Sequence, residues 1–229
     1  MNDGALQVER QNASLRIQVE DKLRQAIADG HFGPGDRLIE RELCALIGVG
    51  RTSIREALRQ LEAEGLVTSY PHRGPVVTSI TYDEADQLYK VRAILEGFAG
   101  QQFAVRGSDG DIRALAKTVV DFEDAVNAGN SVEMGAAKNA FYDCLMSGSG
   151  NIFARQMLTG LHNRINLLRM TSMNQPGRLL HSLAEIKDIA AAIEARDAPR
   201  AQAACKLHIE KAAKVALEYL KQHGGSPRI

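Results

Sequence analysis

Apolar residues return every fourth position at Leu15, Val19, Leu23 and Ile27, which predicts a first helix ended by Gly30. Gly33-Pro34-Gly35 then turns the chain into a denser stretch. There Leu43, Leu46 and Ile47 mark one face of a short helix, and Ile54, Ala57, Leu58 and Leu61 follow the i, i+3, i+4, i+7 rule on a second. Gly48 and Gly50 flank Val49 and supply the sharp bend between the two. After Gly65 the chain turns to strand. Leu66-Val67-Thr68 alternates, Tyr70-Pro71-His72-Arg73-Gly74 turns, and Pro75-Val76-Val77-Thr78 returns as the second arm of a hairpin with a basic tip.

From Thr81 onward everything reads helical. Thr81 with Glu84 three residues on forms a capping box, and segments follow at roughly 82–106, 109–128, 131–147, 152–172, 178–196 and 199–222. Gly107-Ser108, Gly129-Asn130, Gly148-Ser149-Gly150-Asn151, Asn174-Gln175-Pro176-Gly177 and Asp197-Ala198-Pro199 separate them. Connections this short predict an antiparallel bundle. The expected fold is mainly α: three helices and a small β-hairpin, a winged helix-turn-helix, then an all-α six-helix bundle. The expected divisions are a mobile arm at 1–11, the winged domain at 12–78, a linker at 79–81, the bundle at 82–223 and a tail at 224–229.

Composition narrows the class without naming it. The 229 residues are 45% hydrophobic and 24% charged, ordinary for a globular protein. Formal net charge is zero, so any attraction to nucleic acid has to be local. Cys44, Cys144 and Cys205 form no close pair and no zinc spacing, which points to a reducing cytoplasm. There is no long apolar run and no signal-peptide pattern, so neither a membrane span nor export is expected.

The local charge sits on the second short helix. With its core face set, Thr52, Arg55, Glu56 and Arg59 turn outward, and Arg51, Thr52 and Ser53 occupy the first turn. Guanidinium forks suit guanine edges and phosphate oxygens, and small hydroxyls at a helix start reach phosphates beside free backbone N–H groups. A solvated helix also carries arginines. It does not call for the glycine bend, the hydroxyls and the basic hairpin in series, which together make a DNA-reading geometry.

In the bundle, the informative residues are polar ones on apolar stripes. Lys138 and Tyr142 fall within or beside Met134, Ala137, Phe141 and Leu145, and Arg164 sits among Phe153, Met157, Leu161 and Leu168. His208 lies between Ala204, Ala212 and Val215; Arg92 borders Leu88, Leu95 and Ala99; Ser182 shares a face with Leu179 and Ile186. Buried charge without a partner is costly. Inward cations from several helices therefore imply carboxylate partners within the bundle, Glu96 for Arg92 among them, or an anionic guest. No nucleophile stands at a diagnostic spacing, so no enzyme is expected.

These residues also carry a resemblance. Val19 to Val77 resembles the winged-helix domain of GntR-family bacterial transcription regulators at Leu23-Arg24-Gln25-Ala26-Ile27, Pro34-Gly35-Asp36-Arg37-Leu38, Glu40-Arg41-Glu42-Leu43, Gly48-Val49-Gly50-Arg51-Thr52, Ile54-Arg55-Glu56-Ala57-Leu58, Glu64-Gly65-Leu66-Val67 and Arg73-Gly74. Gly50 departs from the Ser or Thr usual there, so one hydroxyl contact to phosphate is missing. The resemblance implies that Arg41, Arg51 and Arg55 read bases and phosphates, that Thr52 and Ser53 clamp the backbone, and that His72, Arg73 and Gly74 probe the minor groove.

The second half resembles the FCD-type effector domain of the family's FadR group at Val91-Arg92-Ala93-Ile94-Leu95-Glu96, Gly150-Asn151, Ser182-Leu183-Ala184-Glu185 and Ala192-Ile193-Glu194-Ala195-Arg196-Asp197. Many members hold a divalent metal through one Asp and three His, and the metal grips a small carboxylate. Those positions fall here on Lys138, Tyr142, Ile186 and His208, so no metal and no other cofactor is expected. Lys138, helped by Arg92, Tyr142, Arg164, Ser182 and His208, is expected to bind an organic anion directly. A mostly apolar pocket for a lipid-like effector, or a bundle that only dimerises, are the alternatives. The resemblance as a whole implies a cytoplasmic homodimeric regulator, in the common case a repressor, binding a palindromic operator under control of a small carboxylate.

Overall fold

The computed structural model describes residues 10–28, 30–173 and 177–223. Of the expected arm at 1–11, residues 1–9 lie outside the described residues, as do 174–176 and the tail at 224–229, while Arg10 and Gln11 belong to the first helix rather than to an arm. The chain divides into two compact units, with the break between Ser79 and Ile80.

The first unit contains α1 (Arg10–Ala28), α2 (Glu40–Ile47), α3 (Arg51–Ala63), β1 (Val67–Tyr70) and β2 (Gly74–Val77). Gly48 ends α2 in the left-handed region at φ 76°, where glycine has no Cβ to strain. Gly50 opens α3 as an N-cap without a side-chain bond. Ile54, Ala57, Leu58 and Leu61 bury the inner face of α3 with Val19, Leu23, Ile27, Leu38, Leu43, Leu66 and Val77 in the same core. Arg24 fastens α1 to the end of α3, its Nε and Nη2 donating to the two carboxylate oxygens of Glu64 at 3.0 and 2.9 Å. The strands pair antiparallel from Val67 with Val77 to Tyr70 with Gly74. Two residues depart from the expected pattern. Leu15 is 42% and Leu46 63% exposed, while Val19 and Leu43 on the same two helices are buried.

The second unit contains α4 (Tyr82–Arg106), α5 (Asp109–Ala128), α6 (Ser131–Gly148), α7 (Ile152–Met173), α8 (Arg178–Glu194) and α9 (Ala198–His223). The Thr81–Glu84 capping box starts α4 and a second box, Ser108 with Asp111, starts α5. Phe103, Phe122 and Phe141 centre the core with Leu115, Leu145, Leu158, Ile186, Ile189 and Ile193. α4 and α9 approach closely at Gly100, where a Cβ would lie 2.5 Å from Cys205 Sγ. Gly107 and Gly148 leave room for the Phe103 ring, which a Cβ at either would strike.

The inner face of α7 differs from the expected one. Ala154, Leu158 and His162 are buried, while Phe153 is 66% and Met157 59% exposed. Arg164 is exposed with them. Both stripes are apolar at helical spacing and share Leu161, so periodicity did not choose between them.

Candidate functional site

The outer face of α3 carries several of the residues expected to contact DNA. Arg51, Thr52, Arg55, Glu56 and Arg59 are exposed and Ser53 is half-buried, while Arg41 is exposed on α2. Their directions follow from the burial of Ile54, Ala57, Leu58 and Leu61 on the opposite side. Arg55 is not free: its Nε donates to Glu40 Oε1 at 2.8 Å and Oε2 at 2.9 Å. That grip uses the Nε edge of the fork. At the hairpin tip His72 is exposed, with φ 63°, and Gly74 follows at φ 78°. A non-glycine residue in the left-handed region is uncommon, and here it turns the chain back toward β2.

In the second unit the polar residues form three short relays. In the first, Glu96 is 1% and Arg92 2% exposed. Arg92 Nε donates to Glu96 Oε1 at 2.6 Å, and His162 Nε2 lies 2.8 Å from the same oxygen. Burial alone would raise the Glu96 carboxyl; the Arg92 guanidinium and the His162 bond outweigh it and hold the group at about 2. Arg92 also stacks its cation 5.5 Å from the Tyr142 ring centre.

The second relay runs from Tyr142 through His208 to Glu185. Tyr142 Oη lies 2.8 Å from His208 Nε2, and His208 Nδ1 lies 2.7 Å from Glu185 Oε2. Burial pushes His208 down to about 4, although Glu185 works against that; the Lys138 ammonium adds to the depression. The ring is therefore neutral at pH 7. A carboxylate can only accept, so Nδ1 carries the proton and donates to Glu185, and Nε2 accepts from the Tyr142 hydroxyl. Glu185 also receives Arg178 Nη1 at 3.0 Å, and its Oε1 lies 3.5 Å from Lys211 Nζ.

In the third, Lys138, 4% exposed, donates to Ser182 Oγ at 2.9 Å with its ammonium 5.8 Å from the Phe122 ring centre. Arg92, Lys138, Tyr142, Ser182 and His208 are thus all buried in this unit. Arg164 is not brought to them; it lies near Glu84, whose carboxyl its charge helps to lower after the Thr81 hydrogen bonds. Glu96 stands where it was expected, beside Arg92; His162, Arg178 and Glu185 were missed. The spacing of Arg178, Ser182 and Glu185 (i, i+4, i+7) on one face of α8 was the available signal.

These residues do not fit a divalent metal. Lys138 Nζ is engaged as a donor to Ser182, Ile186 offers no ligand atom, and the His208 Nε2 lone pair is taken by Tyr142. Among the described residues, no three His, Cys, Asp or Glu side chains group so as to hold an ion.

The depressed His208 gives the protein a pH dependence. Unfolded, the ring takes its proton near the ordinary histidine value of 6.5; folded, it does so only at about 4. The native state thus binds fewer protons between those values, and stability falls as pH falls through them, by about 3 kcal/mol at most. Melting temperatures from pH 4 to 8 should slope upward with pH in that window. His208→Asn should flatten the slope, whereas parallel curves would show that another group sets it.

Two family models match the chain: bacterial regulatory proteins of the gntR family over residues 15–77, and the FCD domain over 87–211. The chain is 30% identical over 155 residues to the uncharacterized HTH-type transcriptional regulator YdhC of Bacillus subtilis (strain 168), covering 67% of this chain and 69% of that one. It is 28% identical over 196 residues to the HTH-type transcriptional repressor GlaR of Escherichia coli (strain K12), covering 82% and 89%. A transcriptional regulator GntR from Rhodococcus sp. RHA1 superimposes with a TM-score of 0.78 at 26% identity, over 90% of this chain and 98% of that one. The chain belongs to the GntR family of bacterial transcriptional regulators, which are not enzymes, and its second domain is an FCD domain.

Proposed function

We propose that the protein is a cytoplasmic repressor that binds a palindromic operator as a homodimer, and that a small organic acid in the helical domain alters its affinity for DNA. The observation that carries the DNA half is the outer face of α3, where Arg51, Thr52 and Arg55 stand exposed over a fully buried inner face. Arg41, Ser53, His72, Arg73 and Gly74 complete the contact set. The names of relatives such as GlaR support repression. Pairing of chains is supported by apolar side chains left bare on neighbouring helices: Val91 and Ile94 on α4, Ile152, Phe153 and Met157 on α7. No described helix is long and apolar enough to cross a membrane.

The effector half rests on Lys138. Its ammonium is buried, donates to Ser182 Oγ and acts on His208, whose Nε2 meets Tyr142, so positive charge and hydrogen-bonding groups converge inside the bundle. The bundle works without a bound metal, the cation being supplied by side chains. The effector binds one bundle geometry better than another and so shifts operator affinity.

Selecting genomic fragments on the full-length protein tests the function. A shared, two-fold symmetric sequence among the bound fragments is expected; fragments without a common sequence would contradict it. The neighbouring genes then suggest the metabolite. That metabolite should raise the melting temperature of the wild type and leave Lys138→Ala unmoved. An equal shift in both would remove Lys138 from the site.

A further inference from the structure

Glu185 faces two cations and a neutral imidazole N–H with a single negative charge. Its Oε2 accepts from Arg178 Nη1 at 3.0 Å and His208 Nδ1 at 2.7 Å, while Lys211 Nζ stands 3.5 Å from Oε1. Arg178 is 6% exposed, yet its Nη2 has no hydrogen-bond partner among the described residues. A guanidinium normally offers Nη groups in parallel to both oxygens of a carboxylate. Glu185 comes from the same helix, two turns on, and engages only one of them. The tether explains the incomplete fork, and an untethered carboxylate would not share the constraint.

The carboxylate is also within reach of solvent. A crevice of about 210 Å³ lies between α8 and α9, lined by His181, Glu185, Asp188, Leu207, His208 and Lys211. Asp188 does not cancel the positive charge, because it is already paired with Arg200. We propose that this crevice is a binding subsite for a small carboxylate, and that Glu185 is its built-in occupant. The incoming carboxylate accepts from Arg178 and from the His208 Nδ1–H and draws in Lys211, while Glu185 turns outward. The inference rests on the effector reading and deepens it, since it adds Arg178 and Lys211 to the groups that would face the effector.

Glu185→Ala in the full-length protein tests it, with sodium acetate and propionate as probes against sodium chloride at equal ionic strength. In chloride the variant should melt below the wild type. The carboxylates should recover half or more of that loss and shift the wild type far less. Arg178→Gln added to Glu185→Ala should abolish the recovery. Failure of both carboxylates to stabilise Glu185→Ala, or equal recovery with and without Arg178, would overturn the proposal. Should Glu185→Ala not fold, Glu185→Gln keeps the volume, and a carboxylate shift that depends on Arg178 is again expected; its absence overturns the proposal. Fragment preference of the wild type, measured alongside, belongs to the regulator reading and is untouched by either result.

Discussion

Glu96→Ala should destabilise the helical domain by about 3–5 kcal/mol, the range for removing one partner of a buried ion pair. Glu96 is 1% exposed and is the acceptor for both Arg92 Nε, at 2.6 Å, and His162 Nε2, at 2.8 Å. Without it, the Arg92 guanidinium stays 2% exposed with no counter-charge, and its Nη2 already lacks a well-directed hydrogen bond. The Tyr89 and Tyr142 rings face the cation but do not replace a carboxylate. A loss of this size consumes much of the roughly 5–15 kcal/mol that holds a typical domain folded. The control is Arg92→Met with Glu96→Leu, which removes both charges and should cost far less than Glu96→Ala alone. Urea unfolding of the three proteins measures the difference. A single variant within about 1 kcal/mol of wild type would mean that water or another group takes over the counter-charge.

Arg55→Ala should weaken binding to the selected operator roughly ten- to hundredfold and relax the preference at one base pair. The structure gives the reason for choosing Arg55 over the other arginines. Glu40 grips its Nε from both carboxylate oxygens, which fixes the fork on the outer face of α3 and directs the Nη groups away from the grip. Arg55→Lys should not restore the preference, since an ammonium cannot make two parallel bonds to one guanine. Competition binding with single-base operator variants separates the roles. Equal weakening on every sequence would make Arg55 a phosphate contact.

Much of the architecture was legible because the apolar periods were long and cleanly punctuated. Ile54, Ala57, Leu58 and Leu61 bury as their spacing predicts, and glycines or helix-capping residues stand at most of the turns that divide the bundle. Legibility failed where two faces of one helix were equally apolar. On α7 Ala154 and Leu158 turn inward while the larger Phe153 and Met157 stay bare, so Arg164 went with the wrong stripe. Small residues bury at close helix approaches, which a size-weighted reading misses.

The polar interior was legible in half. Lys138, Arg92, Tyr142, Ser182 and His208 are buried as their stripes imply. Inward cations called for carboxylate partners or an anionic guest, and the structure supplies Glu96 and Glu185 as partners. Glu185 was hidden because its bonds to His208 and Lys211 join residues more than twenty positions apart, beyond any local period. Arg178 was hidden because a basic residue in the first turn of a helix reads as a solvent-facing one.

The central claim is that α3 reads DNA sequence in a chain whose net charge is zero. Fluorescence anisotropy on one selected fragment and one scrambled fragment of the same length, across a range of salt, tests it most directly. The account predicts tighter binding to the selected fragment at every salt concentration, and affinity for both falling steeply as salt rises. Equal affinity for the two fragments would contradict it.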